Sequence, residues 1–89
     1  MRPNGVLRDM SIDRERSDRL HRTIENFTDC DTAYVDARNE AIDTVGRWAD
    51  GDPHAREDWL AAIRRMTQAR SVRDAARRAL ELARDEAMQ

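Results

Sequence analysis

Few residues in this chain are of the types that perform chemistry, and their spacing decides against most reactions they could serve. The two histidines stand alone: His21 has only Glu25 as a ligand-type neighbour one turn away, and His54 follows Pro53 at a predicted helix start. Zinc sites draw several His or Cys together at short, regular spacings, so surface positions are the expectation for both. Cys30 is the one cysteine, which excludes an intrachain disulfide and any multi-cysteine metal site. Its neighbours Asp29 and Asp31 are acidic, surroundings that do not activate a thiol as a nucleophile. No Ser/His/Asp spacing and no glycine loop for phosphates is present. The sequence therefore assigns no catalytic residue, no cofactor and no metal ligand, and reads as a non-enzyme.

One carboxylate pattern is a partial exception. Glu15-x-x-Asp18 and Glu40-x-x-Asp43 fall on consecutive predicted helices. This loosely resembles the paired carboxylate motifs with which all-α nucleoside triphosphate pyrophosphatases hold magnesium, and it implies metal-assisted release of pyrophosphate from a nucleotide. The resemblance covers four acidic positions and lacks the family's surrounding apolar pattern. Such carboxylates must converge between helices. Here Glu40 and Asp43 lie opposite the apolar face of their helix, and Glu15 and Asp18 lie opposite Leu20 and Phe27. The pyrophosphatase is kept as a remote alternative.

The charged residues offer more. All sixteen basic residues are arginine, and the net charge is −2, so the whole molecule has no field that would draw in a polyanion. Locally the signs separate. Asp29 to Asp52 carries seven acidic residues against Arg38 and Arg47, with Asp36, Glu40 and Asp43 on one acidic face; Leu60 to Leu80 carries six arginines against Asp74. Arg70, Arg73, Arg77 and Arg84 fall within about 60° of one another on a helical wheel. Together with Arg64 and Arg65 they are the candidate partner-binding residues. Such a stripe can grip carboxylates of a protein or phosphates of a nucleic acid. Pairing between helices of opposite sign is the plainer use of the same charges. The expected function is a binding module that docks on another protein with an acidic surface, as an adaptor, subunit or phage-type inhibitor. A nucleic-acid-binding regulator using the arginine-rich C-terminal helix is the alternative.

The elements that must position these residues read as helices. Thirteen alanines, three glycines and two prolines in 89 residues point to an all-α chain. Residues 1–10, with Pro3, Asn4 and Gly5, read as an irregular N-terminal arm, and residues 11–89 as a single helical domain. Helices are expected at about 12–27, 32–49, 53–67 and 71–87. Thr28 to Asp31 separates the first two, and Asp50-Gly51-Asp52-Pro53 supplies a helix stop and a new start. Beyond Pro53 the apolar face turns by roughly 110–120° on a straight wheel, more than heptad drift explains. A break near Thr67–Ser71 is favoured, giving a small three- or four-helix bundle. A continuous helix would instead give a helical hairpin with a long arm, suited to a homodimer. Phe27, Tyr34, Trp48 and Trp59 are the expected core anchors. No run of eighteen apolar residues is present, so no membrane partner is expected, and a cytoplasmic setting is the default.

Overall fold

The computed structural model describes the backbone of residues 3–89 and the side chains of residues 12–89. It is all-helical and consists of two long helices, α1 (Pro3–Ala49) and α2 (Ala55–Met88), folded back on each other as a hairpin. The expected three- or four-helix bundle is thereby corrected. So are three expected interruptions: the irregular arm over residues 3–10, the gap at Thr28–Asp31, and the break near Thr67–Ser71.

A single spacing explains the continuity. In α1 the residues Leu20, Thr23, Phe27, Cys30, Tyr34, Ala37, Ala41, Thr44 and Trp48 alternate steps of three and four without a slip. In α2 the same alternation runs through Ala55, Trp59, Ala62, Met66, Ala69, Arg73, Ala76, Leu80 and Ala83. This is the heptad seam of a coiled coil, a and d in the usual lettering. Thr28 does not cap a new helix, because its hydroxyl donates to the Ile24 carbonyl one turn back, 2.9 Å away. Pro3 stands at the first position of α1, where its missing N–H costs no hydrogen bond, so it starts the helix and does not break it.

The turn follows the expected chemistry closely. Gly51 has φ 95°, the left-handed conformation that glycine adopts without a side-chain penalty. The Asp52 N–H donates to the Arg47 carbonyl (3.1 Å) and the Gly51 N–H to the Trp48 carbonyl (3.0 Å). These two bonds form a Schellman cap that satisfies the last carbonyls of α1. The Asp52 carboxylate accepts the His54 N–H at 2.9 Å. Regular helix then begins at Ala55, two residues after the expected Pro53.

The seam is sorted by size. With Leu20 as an a position, the d positions are small: Thr23, Cys30, Ala37 and Thr44 in α1, and Ala55, Ala62, Ala69, Ala76 and Ala83 in α2. Among the described residues, six alanines and Thr44 are buried, with Ala55 and Ala62 at 0% exposure. The Thr44 hydroxyl meets the Ala41 carbonyl within its own helix at 2.9 Å, so its burial leaves no polar group unmatched. Small residues let the two backbones approach closely, and dispersion contact over the whole length replaces a bulky core. The large residues occupy mostly a positions and gather on one edge of the pair.

Candidate partner-binding edge

Cross-helix pairs define which edge is which. Arg19–Glu86 (2.6 Å), Glu40–Arg65 and Arg47–Asp58 (3.1 Å) join g positions along the edge that flanks the small d residues. Residue numbers in each of these pairs add to 105, so one antiparallel register holds along the hairpin. The opposite edge brings a positions together. Trp48 and Trp59 lie with ring centroids 5.6 Å apart and planes tilted by 34°. Farther along, the Arg73 guanidinium sits over the Tyr34 ring, 4.1 Å from its centroid.

This second edge has three zones. Near the turn, Trp48 is 44% exposed and Ile42 63%, with Val45 and Leu60 also open to solvent. At the far end, Leu20, Ile24, Phe27 and Leu80 line a groove of about 480 Å³ whose rim carries Arg77 and Arg84. Between them stand Arg38, Arg70 and Arg73. Arg70, Arg77 and Arg84 all occupy e positions, seven residues apart, so they form a straight row beside the large seam residues. All three are exposed, and among the described residues none forms an ion pair with a carboxylate.

The other arginines singled out from the sequence are placed differently. Arg65 pairs with Glu40 across the helices. Arg73 is drawn into the seam: its side chain is 18% exposed, with Asp31 at 3.8 Å and Asp74 at 3.5 Å. Its Nε is buried without a hydrogen-bond partner. Arg64 is exposed and bonds back weakly to the Leu60 carbonyl at 3.4 Å. On the acidic side, Asp36 and Asp43 are exposed, Asp43 lying 3.9 Å from Arg47, while Glu40 belongs to the cross-helix pair. Phe27, Tyr34, Trp48 and Trp59, expected as core anchors, all stand at a positions of the seam, where Phe27, Tyr34 and Trp59 are half-buried and Trp48 is exposed. Ile24 and Leu80 are not among the expected site residues; Leu80 stands at an a position and Ile24 at the e position beside Phe27, and pairing of the helices brings them to one groove.

The carboxylate pairs do not converge. Glu15 and Glu40 belong to the same uninterrupted helix, 25 residues or about 38 Å apart along its axis, so the two pairs cannot share an ion within one chain. Among the described residues no group of three or more His, Cys, Asp or Glu side chains is arranged to hold a metal. Cys30 stands in the seam, half-buried, its thiol 3.9 Å from the Asn26 Oδ1; the loop expected around it is helix. His21 and His54 are exposed. No helix of the described residues is long and apolar enough to cross a membrane.

The chain has no significant match among family models, curated proteins or solved structures.

Proposed function

We propose that this protein is a small helical docking module, without catalytic activity of its own, that binds an acidic surface on another protein through the edge bearing Arg70, Arg77 and Arg84. One observation carries the reading: three heptad-spaced arginines, without ion-pair partners among the described residues, run beside large apolar residues that the hairpin leaves half-open. Guanidinium groups suit carboxylates because they can donate two parallel hydrogen bonds. An adjoining apolar strip supplies the buried area that charge pairs by themselves do not. Roles as an adaptor, a subunit or an inhibitor all use such a surface.

The test is capture of partners from the native cell by the tagged full-length chain, with and without nuclease. A protein should be retained despite nuclease. The double variant Arg77→Glu/Arg84→Glu should lose it while keeping the helical circular dichroism of the parent. Unchanged capture by the variant would rule the reading out. The same row could instead grip phosphates. That nucleic-acid reading requires capture that nuclease abolishes, and an affinity that falls steeply and linearly with the logarithm of salt concentration.

A further inference from the structure

The hairpin is inverted relative to an ordinary core: the buried apolar residues among those described are six alanines, and the large residues of the seam are half-open along one edge. Resting on the docking reading, we infer that the occupant of this edge is a single amphipathic, acidic α-helix of a partner protein, laid along the hairpin to complete a three-helix arrangement.

Three observations point to a helix of this chemistry. The edge is long and straight: from Leu20 to Trp48 it runs about 42 Å, the length of a helix of about 28 residues. Its large residues follow heptad steps, which a helix meets with its own residues at the same spacing, knobs into holes. Its charge is in positive excess. Arg38, Arg70, Arg73, Arg77 and Arg84 face outward or inward along it, with Asp31, Asp74 and Glu81 as the acidic residues near them.

That charge also decides against a second copy of this chain. A symmetric dimer with its two-fold near the middle of this edge would bring Arg77 of each copy towards Arg38 and Arg70 of the other, and like charges across an interface are strongly unfavourable. An acidic helix with large apolar residues at both ends satisfies both features: apolar side chains seat in the Leu20/Phe27/Leu80 groove and against Trp48 and Trp59, and carboxylates meet the arginine row.

Both tryptophans lie on this edge, so their emission reports its occupation. The full-length chain is titrated with a tryptophan-free, 28-residue helical peptide carrying Leu at a and d and Glu at e and g, and with the same peptide carrying Lys in place of Glu. The Glu peptide should shift the emission to the blue and bind at least about tenfold more tightly than the Lys peptide. Arg77→Glu/Arg84→Glu should reverse that preference, and Arg64→Glu/Arg78→Glu, the same charge change on the outward face, should not. Equal binding of the two peptides, or no blue shift with either, overturns the inference. So does sedimentation of the free chain as a stable dimer with emission already blue-shifted, which would seat a second copy there. If neither peptide binds while Arg77→Glu/Arg84→Glu still abolishes capture of a cellular protein, the acidic helix is overturned and the docking reading stands.

Discussion

Two residues show how much local structure rests on single side chains. Gly51 holds a positive φ at the C-terminus of α1 with open space around its α-carbon, so any objection to a side chain there is backbone strain. Gly51→Ala should cost about 1 kcal/mol of stability, read as a lower urea midpoint with an unchanged slope. Gly46, mid-helix and equally uncrowded, should behave in the opposite sense: Gly46→Ala should stabilise α1 by roughly 0.5–1 kcal/mol. Arg73 is the residue that hid the fold. It stands where the seam expects an apolar side chain, and its stem packs while its head stacks on Tyr34. A buried Nε without a partner carries a desolvation cost. Arg73→Leu should therefore stabilise the chain by an amount on the order of 1 kcal/mol, read as a higher thermal midpoint. A fall would mean that the Tyr34 stack and the Asp31 contact outweigh that cost.

At the scale of the elements, the hairpin depends on small residues at d. Ala62 is at 0% exposure, and a larger side chain there must push the helices apart along a straight contact with no loop to yield. Ala62→Leu should destabilise by about 1–3 kcal/mol, measured by thermal unfolding, whereas Ala75→Leu on the exposed side of α2 should change stability by less than about 0.5 kcal/mol. The cross-helix ion pairs contribute less. Arg19 and Glu86 are 55% and 45% exposed, so the worth of such a pair is within about 0–1 kcal/mol. Their value lies in fixing register and antiparallel direction, since g residues of opposite sign meet only in this alignment.

At the scale of the molecule, shape is the dominant property. The hairpin measures 77 × 14 × 13 Å with a radius of gyration of 20.8 Å, where a compact chain of this length would have about 12 Å. Its surface of 7108 Å² exceeds by about a third the roughly 5,400 Å² of a compact protein of its mass. A rod with this much surface buries little of its apolar area alone, which is the physical ground of the proposed docking. Small-angle scattering of the free chain should give a radius of gyration near 21 Å; a value near 12 Å would exclude the open hairpin. Register places the end of α2, Met88, opposite Ser17, so α1 extends past it, a consequence of unequal helix lengths.

The helical class, the turn at Asp50–Pro53 and the separation of charge were legible from residue type alone, because glycine, proline, alanine and charge act locally. The continuity of both helices was written in the sequence too, but in residues that do not look like a core: Thr23, Cys30 and Thr44 in one seam, five alanines and Arg73 in the other. Read for bulky apolar residues at 100° per step, the faces lose their line at Thr28–Asp31 and Thr67–Ser71. Read in threes and fours, they do not. What only the tertiary structure decided is which arginines are left over. Arg65 and Arg73 are consumed by contacts with the opposite helix, while Arg70, Arg77 and Arg84 lie across the seam from Glu40, the one carboxylate of α1's g row. Spacing along one helix places charges on a face; the alignment of the second helix determines which of them are already neutralised, and no local rule contains that alignment.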